Sequence, residues 1–597
     1  MRVVRPMITA DKLNLKISSA GQWFELEGEV NIGDKEKLKM AQLLELLRAT
    51  TGNFIHLSGD EYIAVSEQLR RQLQAIDKML IGRGKELKVS TMNGMQLTAL
   101  GELGAKVKGD ETYRQLIDRI REAGQIQFPL PANIHAELRP YQVVGYEWMS
   151  RLAHWGGGAC LADDMGLGKT LQAITLMQSR AAQGPQLVIM PTSLLHNWKA
   201  ELARFAPALS VKLINPQGAD RQQIVNDADA GDVVLSTYGL LVTEGELLAK
   251  RDWITVVLDE AHTIKNRDTQ TSKAAMKLKA GFRLMLTGTP LQNHLNEIWN
   301  LFQFANPGLL GSYQQFTERF ILPIERDHDQ ERQRLLRRML SPFLLRRTKD
   351  DVLNELPEKT EITVRVDLSP DEQALYDNLR RQAIANLEES PQSIFHALAE
   401  ITRLRQAACH PRLINPKLPI KSSKTQAFLN LVDELRQGGH RALVFSQFTS
   451  HLALVREELD RLGIEYLYLD GSTSPNERSR LVRQFQTGSQ PLFLISLKAG
   501  GLGLNLTAAD YVIHLDPWWN PAIEDQASDR AHRIGQDRPV TVYRLIASGT
   551  IEEKILRLHH SKRSMADALL EDADLYSQIT PDEIISLLRE TASEIDG

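Results

Sequence analysis

A chain of 597 residues is too long for one hydrophobic core, and at roughly 100 to 200 residues per domain it accommodates about three to five compact units. With 42% apolar and 24% charged residues, its composition is that of a folded globular protein and excludes a fibrous or disordered chain. A formal net charge of −4 argues against a uniformly basic nucleic-acid binder, so any grip on phosphate has to come from local clusters.

No stretch approaches the roughly 18 consecutive apolar residues that a membrane-spanning helix needs, and the opening MRVVRPMITADKLNLKI lacks the apolar core and cleavage site of a secretory signal. The expectation is a cytoplasmic protein with no membrane partner. Cys160 and Cys409 are far apart and too few for a zinc module or a disulfide framework. They read as small buried apolar residues, and no zinc is expected.

In residues 1–125, Phe24, Leu26 and Val30 alternate with Glu25, Glu27 and Glu29 as in a half-buried strand, and Leu43, Leu44, Leu46 and Leu47 suggest an amphipathic helix. This region is read as an α+β accessory domain, followed by a linker at Gln125–Ala132 that carries Pro129 and Pro131. From there to about residue 345, apolar runs at 186–190, 232–236, 254–259 and 282–288 alternate with helical stretches, which predicts an α/β lobe with a parallel sheet.

Residues of about 297–420 are rich in Leu, Arg, Gln and Glu at helical spacing and are read as a helical insertion and, over 346–420, a linker. The α/β pattern resumes at 441–448, 466–471, 492–496 and 511–516, giving a second lobe over 421–575 and a tail at 576–597. Arg332, Arg334, Arg337, Arg338, Arg346, Arg347 and Lys349 form a basic cluster able to hold phosphates, or a solvated helix face.

Three segments carry chemistry. In Asp163-Asp164-Met165-Gly166-Leu167-Gly168-Lys169-Thr170, a glycine-rich turn precedes a helix start and offers backbone amides and a helix dipole to phosphate. Lys169 would meet the β- and γ-phosphates and Thr170 would ligate Mg²⁺, although Asp163 stands where the general pattern has its first glycine. About ninety residues on, Asp259-Glu260-Ala261-His262 follows an apolar strand; Asp259 can hold the Mg²⁺ shell and Glu260 can deprotonate an attacking water. Arg530 and Arg533, three apart on a stretch read as helical, can face one side and stabilise charge developing on a γ-phosphate.

Together with Leu138-Arg-Pro-Tyr-Gln142, Leu286-Thr-Gly-Thr-Pro290, Phe343-Leu-Leu-Arg-Arg-Thr-Lys349, Val444-Phe-Ser-Gln-Phe448, the run at 496–521 and Gln526–Gln536, these segments resemble, in order, the motif series of SNF2-family ATPases of helicase superfamily two. The match covers about residues 135–560. The resemblance implies two RecA-like lobes, ATP and Mg²⁺ as cofactors, and a monomer that moves along double-stranded DNA, with a DNA-bound protein as a further partner and a nucleoid association if the source is bacterial.

It further implies that Gln142 reads the adenine, that Asp163, Met165, Gly166, Leu167 and Gly168 line the nucleotide with Lys169 and Thr170, and that Arg530 and Arg533 complete the site. Thr287, Thr289, Ser446 and Gln447 would contact the DNA backbone or couple it to ATP. Gly500, Gly501, Gly503 and Asn505 suggest a close backbone approach at the inter-lobe face. Trp518 and Trp519 invite a base-stacking reading, but duplex translocases grip phosphates, so packing of the second lobe is the expectation. Two rival readings are a strand-separating helicase and a nucleotide-responsive scaffold with little turnover.

Overall fold

The computed structural model describes residues 3–557 apart from residues 22, 33–35, 51–53, 59–60, 78, 81–86, 215–219, 289–294, 353–356, 390–393, 501–503 and 519–520. The chain divides into two compact units. The first comprises Met1–Ala162, Thr170–Met190 and Lys199–Arg346, and the second comprises Asp163–Lys169, Pro191–Trp198 and Arg347–Gly597.

The first unit begins with two mixed sheets. Strands Leu13–Ala20 and Trp23–Asn31 pair antiparallel, with Phe24, Leu26 and Val30 buried on one face, as their alternation with glutamates dictates. The helix Met40–Arg48 buries Leu43, Leu44 and Leu47, so the α+β reading of the N-terminal region holds.

Seven strands then form one sheet in the order Ser210–Leu213, Asp232–Thr237, Gln186–Met190, Asp252–Asp259, Lys279–Leu286, Ala159–Leu161, Leu344–Leu345, every adjacent pair parallel. The strand Gln186–Met190 is buried along its whole length, and Val256, Val257 and Leu258 are 0% exposed. Such unbroken apolar runs suit a parallel sheet covered by helices on both faces, each fully buried aliphatic side chain contributing about 1.5–3 kcal/mol.

The second unit holds a six-stranded parallel sheet in the order Lys359–Val366, Val540–Ala547, Tyr511–His514, Ala442–Ser446, Leu492–Ser496, Tyr466–Leu469. Its two faces follow from side-chain alternation: Leu443, Phe445, Phe493 and Ile495 enter one core, while Ala442, Val444, Leu492 and Leu494 enter the other. The fold is thus two parallel-sheet α/β lobes with an N-terminal α+β region, as read from the pattern.

The stretch read as helical insertion and linker is largely helical, including Leu295–Ala305, Gln330–Leu340, Pro370–Glu389 and Ile394–Cys409. One part of that reading is corrected: Lys359–Val366 is a strand, paired along its length with Val540–Ala547. Its Lys, Thr, Glu and Arg content obscures a period-two pattern in Ile362, Val364 and Val366, because an edge strand keeps much of its surface in solvent.

Candidate nucleotide site

The strand Ala159–Leu161 runs into the glycine-rich segment, and a helix starts at Lys169 and continues to Ser179. Gly166 and Gly168 have φ of +91° and +74°, a left-handed conformation in which a side chain would be strained. A Cβ at Gly166 would also lie 2.9 Å from the Cβ of Arg533, so the position excludes any larger residue. The loop ends where the first-turn amides of a helix have no intrahelical carbonyl to bond, the arrangement that favours an anion. Leu167, 0% exposed, anchors it, and the Lys169 ammonium donates to the carbonyl oxygens of Asp163 at 2.5 Å and Asp164 at 3.1 Å.

Asp163, which replaces the expected glycine, is completely buried and accepts from Arg347 through both oxygens, at 2.9 and 2.5 Å. The Lys349 amide donates to Asp164 Oδ2 at 3.1 Å, and the Asp164 amide donates to the Arg347 carbonyl at 2.9 Å. The segment Arg347–Lys349 therefore clamps the two aspartates that begin the loop. Sequence reading missed this role; the aspartate in a glycine position was its one visible trace.

Asp259 ends the strand Asp252–Asp259 and is in register with Leu286, which is in turn in register with Leu161. The carboxylate strand thus ends level with the strand that feeds the glycine-rich loop, with one strand between them, at about 10 Å from two interstrand spacings. Asp259 Oδ1 accepts the Glu260 amide at 2.9 Å, and the Asp259 carbonyl accepts the Tyr238 hydroxyl at 2.9 Å. Burial, then the charges of Asp259 and Glu260, push the Tyr238 phenol up, which keeps it a donor. Glu260 adopts φ 50° and ψ 53°, a conformation that costs a non-glycine residue of order 1–3 kcal/mol and that clusters at functional sites. It directs its carboxylate to within 3.3 Å of His262 Nδ1.

Arg530 and Arg533 do not share a helix. The helix Pro521–Ser528 stops short of both, and they lie in successive turns closed by Gly535 at φ +97°. Gln536 stabilises this turn by donating to the carbonyls of Thr507, Ala509 and Ala531. The Arg530 carbonyl accepts from the Leu506 amide at 3.1 Å, and Arg533 Nη1 donates to the Leu504 carbonyl at 3.2 Å. Lys349, 7% exposed, pairs with Asp529 at 2.7 Å and donates to the His532 carbonyl at 2.6 Å, fixing the backbone on both sides of Arg530.

The basic cluster divides accordingly. Arg334, Arg337 and Arg338 are exposed on the helix Gln330–Leu340, whereas Arg347 and Lys349 are engaged internally and are not part of an open phosphate-binding face. Gln142 is 4% exposed, and its side-chain Oε1 caps the helix Pro140–Trp155 by accepting the Arg139 amide at 3.0 Å. Thr287 is 1% exposed, its amide bonded to the Leu161 carbonyl. Ser446 is equally buried and donates to Asp516 at 2.5 Å, while the Gln447 amide donates to the same carboxylate at 3.1 Å.

Gly500 ends the short helix Leu497–Gly500, and Asn505 is exposed. Trp518 packs on the second sheet's core, under the Arg405 guanidinium at 5.5 Å, which suits a packing role. Thr289, Gly501, Gly503 and Trp519 lie outside the described residues. Cys160 and Cys409 are both buried, as expected, although Cys409 has polar neighbours. Among the described residues, no helix is long and apolar enough to cross a membrane.

The SNF2-related domain family matches residues 141–413, and the helicase conserved C-terminal domain family matches residues 423–535. A Bacillus subtilis protein named an ATP-dependent helicase/translocase is 40% identical over 80% of this chain and 54% of its own length. The human SWI/SNF-related matrix-associated actin-dependent regulator of chromatin subfamily A member 1 is 32% identical over 97% of this chain and 58% of its own. A solved Sulfolobus solfataricus SWI2/SNF2 ATPase core in complex with dsDNA is 37% identical, with 75% of this chain and 96% of that one covered and a TM-score of 0.40. The chain spans about half the length of the curated relatives it matches. By the two family matches and by the motif series set out above, the chain belongs to the SNF2-related ATPase family.

Proposed function

We propose that this chain hydrolyses ATP in order to move along double-stranded DNA, remodelling protein–DNA complexes as it goes. The observation that carries the reading is the level alignment of two strand ends, one feeding the left-handed Gly166–Gly168 loop and the other ending in Asp259. On this reading the loop cradles phosphates while Asp259 serves their metal and the adjacent Glu260 serves the attacking water.

Lys169 exchanges its loop carbonyls for phosphate oxygens, and Glu260, held in a strained backbone, takes the proton of the attacking water. Thr170 and Asp259 supply oxygen donors of the kind Mg²⁺ takes, and the ion would neutralise charge on the β- and γ-phosphates. Arg530 and Arg533, on a turn braced by Lys349, add positive charge as the bond to the γ-phosphate loosens. Alternate approach and separation of the two lobes then converts each turnover into a step. Thr287, Thr289, Ser446, Gln447, Gly500 and Gly501 contact the DNA backbone or transmit its presence to the nucleotide, and buried Ser446 and Thr287 fit the second role.

The name of the Bacillus relative, a helicase/translocase, leaves open whether strands part. The test is displacement of a third strand from a triplex, run beside unwinding of a forked duplex. ATP-dependent triplex displacement without unwinding is expected. Efficient unwinding with no triplex displacement would replace this reading with a strand-separating helicase.

A further inference from the structure

We propose that Cys409, His451 and Asp516 form a binding site for one transition-metal dication of the zinc class within the second unit. The three residues come from separate elements: the last position of the helix Ile394–Cys409, the first turn of the helix Thr449–Arg461, and the segment just beyond the strand Tyr511–His514. One thiol sulfur, one ring nitrogen and one carboxylate oxygen lie within 4.8 Å of one another. The residues are 0%, 1% and 3% exposed.

The second observation is the imidazole itself. Both ring nitrogens of His451 are buried and neither has a hydrogen-bond partner. A buried ring with two unanswered nitrogens is rare in a folded core, and a metal bond would answer one of them. The donor chemistry narrows the ion. Sulfur, imidazole nitrogen and a single carboxylate suit Zn²⁺ or Co²⁺, whereas Mg²⁺ and Ca²⁺ take oxygen shells. Three protein ligands leave a fourth position for water.

Charge balance supports the same assignment. On binding, the thiol forms a sulfur–metal bond and releases its proton to solvent, so one thiolate, one carboxylate and a neutral imidazole offset the dication. The neighbouring Lys424 is matched by Glu552, which accepts it at 2.5 and 2.7 Å and also accepts the Cys409 thiol at 3.7 Å, a contact that the sulfur–metal bond would replace. The other nearby cation, Arg405, donates to the Pro517 carbonyl and lies over Trp518. Asp516 is oriented by the Ser446 hydroxyl and the Gln447 amide, the outer support that metal-binding carboxylates require. The ion would therefore tie two helices to the strand end behind the Ser446–Gln447 segment. No spacing motif announces such a site, because its members stand 42 and 65 residues apart in sequence, 451 − 409 and 516 − 451.

The test uses tag-free full-length protein dialysed against excess Zn²⁺, freed of unbound metal, and assayed for metal content. A parallel Co²⁺-loaded sample is read for a thiolate-to-cobalt charge-transfer band. About one equivalent of zinc and the cobalt band are expected in the wild type, and both are expected to be lost in Cys409→Ser and in His451→Leu. If either variant fails to fold, the other and the wild-type spectrum still decide. No retained zinc and no band in the wild type would overturn the proposal, as would metal that survives both substitutions.

Discussion

The ammonium of Lys169 donates to the carbonyl oxygen of Asp163 at 2.5 Å, so the lysine is folded back on the loop that it closes. Its charge is thereby held at the glycine-rich turn, where, on the proposed reading, phosphate oxygens replace the two carbonyls as its partners. Lys169→Ala is expected to lower steady-state ATP hydrolysis by about 100-fold or more while binding of a labelled duplex remains measurable. Glu260→Gln, which keeps the shape of the side chain and loses the base, is expected to bind ATP normally and to slow a single turnover by about 10²–10⁴. Near wild-type turnover in either variant would remove the roles assigned to these residues.

Arg530 and Arg533 sit on a turn whose backbone is held by Lys349, Gln536 and the Leu506 amide rather than by a helix. Substituting either arginine by alanine should reduce kcat by about 10³ with little change in the KM for ATP, because charge added only in the transition state does not tighten ground-state binding. Lys349→Met should share part of this loss by releasing the turn. An increase in KM at constant kcat would mean that the arginines bind substrate instead.

Lys424 and Glu552 form an ion pair whose side chains are 1% and 0% exposed, with Glu552 also accepting the Ala547 amide at 2.9 Å. Removing one partner strands a charge in the core. Lys424→Met is therefore expected to destabilise the second unit by about 3–5 kcal/mol in urea unfolding, and Lys424→Met with Glu552→Leu to recover most of that loss. Equal stability of the single and double variants would show that the pair is not coupled.

Burial alone would raise the Glu361 carboxyl, but the Lys359 charge and the hydrogen bond and charge of Arg544 outweigh it and hold the group well below its ordinary value of 4.5. A depressed folded-state pKa contributes stability that is present above the unfolded value and lost as pH falls through the folded one. Wild-type stability should accordingly decline from about pH 5 downward, and Glu361→Gln should flatten that decline while lowering stability at neutral pH. Parallel curves for the two proteins would exclude this pair from acid denaturation.

The apolar strands could be read directly, because runs such as Gln186–Met190 need two covered faces and few other arrangements bury five consecutive residues. The edge strand Lys359–Val366 could not, since solvent tolerates its charges and hides its alternation. In the site, the glycine-rich loop and the Asp259–Glu260 pair were legible because backbone conformation and strand ends leave local signatures. The clamp of Arg347 on Asp163 was not, since its partners lie 184 residues apart and a run of basic residues looks the same whether paired inside or solvated. The spacing of Arg530 and Arg533 suggested a helix, while the long-range hydrogen bonds of Gln536 to Thr507 and Ala509 stabilise a turn that sequence periodicity does not encode.

On the proposed mechanism, the phosphate-binding loop and the arginine-bearing turn serve a single nucleotide under the control of duplex DNA. Steady-state ATP hydrolysis measured with no nucleic acid, single-stranded DNA, duplex DNA and duplex RNA tests it most directly. Stimulation by duplex DNA of about tenfold or more, exceeding that by the other two polymers and abolished in Arg533→Ala, is the predicted result. Turnover at background with duplex DNA present, or unchanged by it, would show that duplex DNA does not drive this site.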